Sequence, residues 1–196
     1  MVKMRFPVII IIAVMFFSLS IESGYGANEE SPLFWPPPPA RMRIAFVKSI
    51  YSEFDMGVKS GFFKKLKSML LGEEKNILNK PIAITVDRHK TIYICDSGVP
   101  AVHVFIQEEK KYKKITVINK ETLLSPVGVA VSADGLVFIA DSKLNKVFCM
   151  DDSGRCKFTI GQGKELARPT SLAVTKDRLY IVDTLAHSVL IYDLNG

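Results

Sequence analysis

Short hydrophobic runs separated by polar turns follow one another through most of the chain, and the pattern returns at a nearly constant distance. The repeated segments begin at Pro81, Pro126 and Pro169, which gives periods of 45 and 43 residues. In each segment an apolar run ends on an aspartate, and a valine follows six residues later. The aspartates are Asp96, Asp141 and Asp183, and the valines are Val102, Val147 and Val189. Self-similarity at a fixed period predicts an array of equivalent structural units.

Each unit divides into short strands joined by turns. In the second unit the apolar stretches predict strands at 127–131, 136–140, 146–150 and 156–160, with polar turns at 133–135 and 151–154. Four antiparallel strands in a repeat of about 40 to 45 residues are typical of a β-propeller blade. The sequence therefore predicts an all-β protein built from propeller blades.

Residues 81–196 resemble the NHL-repeat six-bladed β-propellers of secreted bacterial proteins. The shared pattern is a proline, an apolar strand, a polar turn, an aromatic-containing strand that ends in aspartate, a short loop and a strand beginning with valine. His187 stands in that loop of the third unit, where the family often has histidine. The resemblance implies blades at 81–125, 126–168 and 169–196, the third incomplete. Related secreted propellers include metal-dependent lyases and lactonases.

The number of blades is small for a closed propeller. The 116 residues from Pro81 onward make about 2.6 blades, whereas closed propellers have about four to eight. We therefore expect either a piece of a longer chain, which we favour, or copies that assemble to complete a ring.

Residues 1–27 predict a secretory signal peptide. Lys3 and Arg5 precede an apolar run, and small residues follow around Gly26 and Ala27, which is the order that signal peptides show. We therefore expect an exported protein, periplasmic or extracellular. The apolar stretch at 8–21 is shorter than the roughly 18 to 20 residues that span a bilayer, and membrane association through an uncleaved signal is the alternative.

The segment between the signal and the repeats predicts three elements. Residues 28–40 predict a stiff linker, because four consecutive prolines favour extended polyproline II structure. Within 41–80, residues 41–50 predict one strand and residues 58–71 a basic amphipathic helix. We expect the apolar face of this helix to pack on its own domain, and binding to an anionic membrane surface is the alternative.

The residues that could carry chemistry favour a structural interpretation. An aspartate at the end of a strand in every unit can accept hydrogen bonds from the backbone of the following turn, so Asp96, Asp141 and Asp183 are predicted to be structural. The chain has three histidines, His89, His103 and His187, and no pair has the spacing of metal ligands. No cofactor is predicted. A metal ion in a central channel, with His103 and His187 as candidate ligands, is the alternative left open.

The three cysteines leave at least one thiol unpaired. Cys95 occupies the position of Ala140 and Val182 in the other units, so it is predicted to be a buried apolar residue. Cys149 and Cys156 flank the turn at 151–154, and we expect them to face each other across the hairpin. A disulfide between them and a pair of free thiols are both open outcomes.

The formal net charge of +6 is scattered along the chain, without the dense basic stripe that nucleic-acid binding needs. The densest basic run, at residues 110–114, predicts a solvated hairpin, and a patch for an anionic polymer is its alternative. Common enzyme motifs, such as Gly-x-Ser-x-Gly and His-Glu-x-x-His, are absent from the sequence. We therefore predict an interaction scaffold for a protein, peptide or glycan partner; the alternative is a metal-dependent lyase or lactonase.

Overall fold

The computed structural model describes residues 34–37, 39–41, 43–58 and 77–194, and it divides into two units, residues 1–47 and 48–196. The predicted signal peptide lies outside the described residues, and so does the predicted helix apart from Val58. In the described part of the chain, no helix combines the length and apolar character needed to cross a bilayer.

The first unit contains a small hairpin. Phe34–Trp35 (β1) pairs antiparallel with Ile44–Ala45 (β2), and the Arg43 N–H donates to the Trp35 carbonyl at 2.9 Å. The chain therefore reverses direction between β1 and β2, and the stiff linker at 28–40 stays a prediction. The strand predicted at 41–50 shortens to the two residues of β2 among those described, because only they have a pairing partner.

Among its described residues, the second unit contains three blade sheets and one two-stranded ribbon, all antiparallel and with strands that are neighbours in chain order. The first sheet, blade 1, consists of Pro81–Val86 (β3), Ile92–Asp96 (β4), Ala101–Ile106 (β5) and Lys111–Ile115 (β6). A small ribbon of Val117–Ile118 (β7) and Glu121–Thr122 (β8) leads to blade 2. Blade 2 consists of Pro126–Val131 (β9), Val137–Asp141 (β10), Lys146–Met150 (β11) and Cys156–Ile160 (β12).

Blade 3 consists, among the described residues, of Pro169–Val174 (β13), Arg178–Asp183 (β14) and Ser188–Asp193 (β15). The prediction of an all-β fold made of antiparallel blades is confirmed. The strands predicted for blade 2 agree with the observed ones to within one residue at each end. The repeat period located them because strands of one blade must alternate with turns at a fixed length.

The blades stack through alternate faces of their strands. Side chains of β4 and β5, such as Cys95 and Val102, pack with Ile139 and Phe148 of blade 2. Successive strand residues point to opposite faces, so the neighbouring residues of blade 2 pack on blade 3. These include Phe138, Ala140, Val147 and Cys149, which meet Leu179 and Ile181. Blade 2 is consequently covered on both faces, and every residue of β10 is buried.

Blade 1 has a different neighbour on its other face. Ile92, Ile94 and Phe105 form a buried cluster there, against which Ile50, Met56, Ile77 and Leu78 pack. Residues 48–58, here called the cap segment, contain a 3-10 helix at Glu53–Met56 that ends at Gly57, whose φ is 73°. The Ile77 N–H donates to the Tyr51 carbonyl at 3.2 Å. The cap segment therefore covers part of the face that an adjoining blade covers elsewhere.

Candidate functional site

The three repeated aspartates occupy equivalent positions and are fully buried. Asp96 accepts hydrogen bonds from four backbone N–H groups, of Asn79, Lys80, Gly98 and Val99, at 2.6 to 3.3 Å. Asp141 accepts from Leu124, Ser125, Lys143 and Leu144, and Asp183 accepts from Ala167, Arg168 and Ala186. Each carboxylate thus joins the segment that enters a blade to the turn between its second and third strands.

The electrostatics of these carboxylates follow from the same bonds. Burial raises the pKa of Asp96 and of Asp183, but the backbone N–H donors outweigh burial and hold both pKa values below the ordinary one. Hydrogen bonds to the charged form of a carboxyl group favour that form. Asp96 and Asp183 are therefore ionised groups whose oxygens accept hydrogen bonds from the backbone.

The three histidines lie far apart in the fold. His103 is buried on β5 of blade 1, whereas His187 is exposed in the β14–β15 turn of blade 3, with a φ of 51°. His89 is exposed in the β3–β4 turn beside Arg88. Among the described residues, no three His, Cys, Asp or Glu side chains come together in a way that could hold a metal ion. The structure does not bring His103 and His187 into one site.

The expected facing of Cys149 and Cys156 is wrong. Cys149 lies opposite Phe158 and Cys156 lies opposite Met150, because a β-bulge interrupts the register between Cys149 and Met150. Cys149 packs in the cluster between blades 2 and 3, whereas Cys156 packs against the cluster between blades 1 and 2. All three cysteines are free thiols, and Cys95 is buried.

The basic run at 110–114 is mostly strand rather than turn. Lys110 ends the β5–β6 turn, and Lys111, Lys113 and Lys114 lie exposed on β6, the last strand of blade 1. Tyr112, between them, is half-buried and contacts His103. The hairpin predicted here therefore has its turn just before the run.

A cleft of about 650 Å³ opens between blades 1 and 2. Four turns line it: β3–β4 and β5–β6 of blade 1, and β9–β10 and β11–β12 of blade 2. They share one end of the sheets because alternate turns of an up-and-down sheet lie at the same edge. Apolar side chains also line it, and these are Tyr93, Val104, Ile106, Ile115, Val117, Val137 and Met150.

The rim of this inter-blade cleft is acidic. Six of the described lining residues are acidic, Asp87, Glu108, Glu109, Asp134, Asp151 and Asp152, and three are Arg or Lys, Arg88, Lys113 and Lys114. The net charge of these lining residues is therefore negative, whereas the net charge of the whole chain is +6. Glu109 and Asp151 are ion-paired with Lys111 and Arg155, so the negative charge of the cleft rests on the other four carboxylates, whose field a concave surface concentrates.

Some of the rim carboxylates are held by their own turns. Asp87 accepts from the N–H groups of His89 and Thr91, each at 2.8 Å. Asp151 accepts from the Ser153 hydroxyl and from Arg155, and these bonds lower its pKa to about 2. Asp134 and Asp152 are exposed in the two blade 2 turns. The cleft thus combines carboxylates fixed by turns with exposed ones.

Burial and carboxylates of both blades raise the pKa of one cleft residue, Tyr93. Burial raises the pKa of the Tyr93 hydroxyl, and the negative charges of Asp87 in blade 1 and Asp152 in blade 2 raise it further. Sequence reasoning selected none of the carboxylates of the cleft, and it considered Lys113 and Lys114 only as part of a basic patch for an anionic polymer. The repeat pattern held one signal that could have found the cleft, because it predicts which turns of neighbouring blades share an end.

Comparison with known proteins supports the fold. No family model and no curated protein matches the chain. Among solved structures, the crystal structure of a nidogen/laminin complex is similar with a TM-score of 0.51 at 21% identity, over 62% of this chain and 46% of that one. A streptogramin B lyase structure is similar with a TM-score of 0.49 at 10% identity, over 59% and 38%. The chain thus spans less than half the length of these solved structures.

A third similar structure is a catalytically inactive virginiamycin B lyase from Staphylococcus aureus with quinupristin, with a TM-score of 0.47 at 11% identity, over 62% of this chain and 44% of that one. The neighbours are β-propeller proteins and include both an enzyme and a protein complex. At these identities the likeness concerns the fold alone. The class of the protein is therefore that of β-propeller blades, and the NHL-repeat family is not confirmed.

Proposed function

We propose that the blades form an interaction scaffold that binds a protein or peptide partner in the inter-blade cleft. The observation that carries this proposal is the convergence of carboxylates from two blades around an apolar surface that includes Tyr93. Turns held on rigid sheets suit recognition, because the sheets fix their positions while their sequences vary freely. The partner would be bound by the turns of both blades at once.

The lining of the cleft specifies the chemistry of the partner. Val117, which is exposed, and Ile106 and Ile115, which are half-buried, offer apolar area for hydrophobic side chains. Asp134 and Asp152 are exposed carboxylates that attract lysine or arginine. The ring of Tyr93 can also receive a cation on its face. We therefore propose a segment that carries both basic and apolar side chains.

The test is fluorescence anisotropy with two labelled peptides and the full chain. One peptide alternates leucine and lysine, and the other alternates leucine and glutamate. We expect the leucine–lysine peptide to bind more tightly, and its affinity to fall as salt is added, because salt screens exposed charges. Equal binding of the two peptides, or binding that salt does not change, contradicts the proposal.

A double variant locates the binding site. Asp134→Asn with Asp152→Asn removes two exposed carboxylates of the cleft without changing side-chain size. Exposed ion pairs contribute about 0.2 to 1 kcal/mol each, so we expect affinity for the leucine–lysine peptide to fall about twofold to thirtyfold. Asp177→Asn is the matched control, since Asp177 is exposed in the corresponding turn of blade 3 and does not line the cleft. An equal loss in both variants would place the peptide elsewhere.

A further inference from the structure

His103 is a fully buried histidine with one engaged and one unengaged ring nitrogen. Its Nδ1 lies 2.8 Å from the Tyr112 hydroxyl oxygen, and the two rings stack with centroids 5.9 Å apart. Its Nε2 lies 3.8 Å from a carboxylate oxygen of the buried Asp96 and has no hydrogen-bond partner among the described residues. A buried polar atom without a partner costs free energy, so this position needs an explanation.

The other blades do not carry a polar residue at this position. Counted from the valine that begins each third strand, the residues equivalent to His103 are Phe148 in blade 2 and Leu190 in blade 3. Phe148 packs in the cluster between blades 1 and 2, and Leu190 packs against blade 2. The repeat therefore favours an apolar side chain here, and blade 1 departs from it on the face that the cap segment covers.

The cap segment places a charged group over this face. Glu53, in its 3-10 helix, is only 4% exposed and interacts electrostatically with both His103 and Tyr112. Met56 of the cap segment and Ile77 pack with the Phe105 cluster on the same face. His103 is thus enclosed between blade 1 and a short segment whose only helix has four residues among those described.

Four groups facing His103 determine its charge. Burial lowers the pKa of His103; Asp96 on β4 and Glu53 on the cap segment oppose this change, and Lys114 on β6 adds to it. The fourth group is Tyr112, whose own pKa burial raises to about 12, so it stays neutral through the acidic range. The net result is a histidine that is neutral at pH 7 while it is covered.

We propose that the cap segment is an acid-sensitive latch on blade 1, which is released when His103 takes up a proton. Water can solvate the imidazolium once residues 48–58 lift away, whereas the closed state buries it. Release removes Ile50 and Met56 from the cluster of Ile92, Ile94 and Phe105, which lies on the face by which a blade in this fold meets its neighbour. The latch would thereby control access to a surface suited to blade-to-blade packing.

The direction of the pH effect follows from linkage. In the closed state burial lowers the pKa of His103; in the open state water replaces the cap segment while Asp96 stays beside the ring, so the pKa of His103 rises. The closed state is therefore favoured where His103 is neutral, and it is destabilised relative to the open state as pH falls through the open-state pKa of His103. A single proton changes the opening equilibrium by at most about tenfold per pH unit.

Hydrogen–deuterium exchange of the full chain, corrected for intrinsic exchange rates, tests this proposal. We expect the protection of residues 48–58 to fall about fivefold to tenfold between about pH 7.5 and pH 5.5, within the limit for one proton. The peptide that contains β11 serves as an internal reference. His103→Phe, which installs the residue of blade 2, should abolish the change, whereas the exposed-site control His187→Gln should preserve it.

Retention of the pH effect in His103→Phe would overturn the proposal, and so would unchanged protection of residues 48–58 in the wild-type protein. If His103→Phe does not fold, histidine NMR of the wild-type protein decides the question. We then expect the His103 resonance to shift together with loss of protection at residues 48–58. A His103 that titrates near its ordinary value while residues 48–58 stay protected would overturn the latch.

Discussion

The carboxylate of Asp141 accepts a hydrogen bond of 2.9 Å from the backbone N–H of Ser125, sixteen residues earlier in the chain. It also accepts from Leu124 on the same side and from Lys143 and Leu144 in the turn that follows β10. One side chain therefore joins the entry of blade 2 to its central turn. The same relationship recurs at Asp96 and Asp183.

Replacing this carboxylate with an amide should destabilise the protein. Asp141→Asn keeps the shape of the side chain but replaces one carboxylate oxygen with an NH₂ group. Some of the four backbone N–H groups that donate to Asp141 therefore lose their acceptor. With hydrogen bonds to charged groups contributing about 1.5 to 3 kcal/mol, we expect the free energy of unfolding to fall by about 2 to 4 kcal/mol. Urea unfolding measures it, and Asp134→Asn, at an exposed turn, is the control. Equal stability of the two variants would contradict the structural role.

The repeat period predicted the strands because it reflects contacts that each blade makes in the same way. It located the third strand of blade 2 at 146–150, where the structure has Lys146–Met150. It could not predict the bulge between Cys149 and Met150, because the extra residue lies at the start of β12, where too few residues precede it to show a change in the apolar alternation. The direction of Cys156 depends on that bulge.

The cleft and the His103 cluster were missed for a related reason. Both join residues that are far apart in sequence: Tyr93 with Asp152 in the cleft, and Glu53 with His103 under the cap segment. A single sequence shows which residues share a strand face and which turns share an end of the sheets, but not how closely the turns of two blades approach each other. His103 did show one local sign, since Phe148 and Leu190 occupy its place in the other repeats.

A glycine on β9 allows blades 2 and 3 to approach closely. A Cβ atom at Gly128 would lie 2.9 Å from the Thr170 carbonyl oxygen and 3.4 Å from side-chain atoms of Ala140 and Leu172. Gly128→Ala should therefore push β9 and β13 apart, and overpacking of this kind costs about 1 to 3 kcal/mol. Thermal unfolding measures the loss. Ser171→Ala, at the equivalent and exposed position of blade 3, should change stability by less than about 0.5 kcal/mol.

Acid should weaken the fold through Asp183. Its pKa lies below the ordinary value of 3.8 in the folded protein, since backbone N–H donors outweigh the effect of burial. The unfolded chain therefore takes up the proton first, so the contribution of Asp183 is complete above pH 3.8 and is lost as pH falls through the folded pKa. We expect Asp183→Asn to be less stable than wild type at about pH 5 and the difference to narrow at about pH 3. A difference that does not change with pH would contradict this reasoning.

The three thiols should react in an order set by burial. Burial raises the pKa of Cys95 to about 12 and that of Cys149 to about 11, whereas Cys156 is only half-buried on β12. Because the thiolate is the reactive form, iodoacetamide at about pH 8 should modify Cys156 first in the native protein, and the other two only after denaturation. Peptide mapping by mass spectrometry identifies the modified residue. Cys156→Ser should abolish the fast reaction. Fast labelling of Cys149, or a Cys149–Cys156 disulfide in the non-reduced digest, would contradict the arrangement of these two thiols on opposite faces of blade 2.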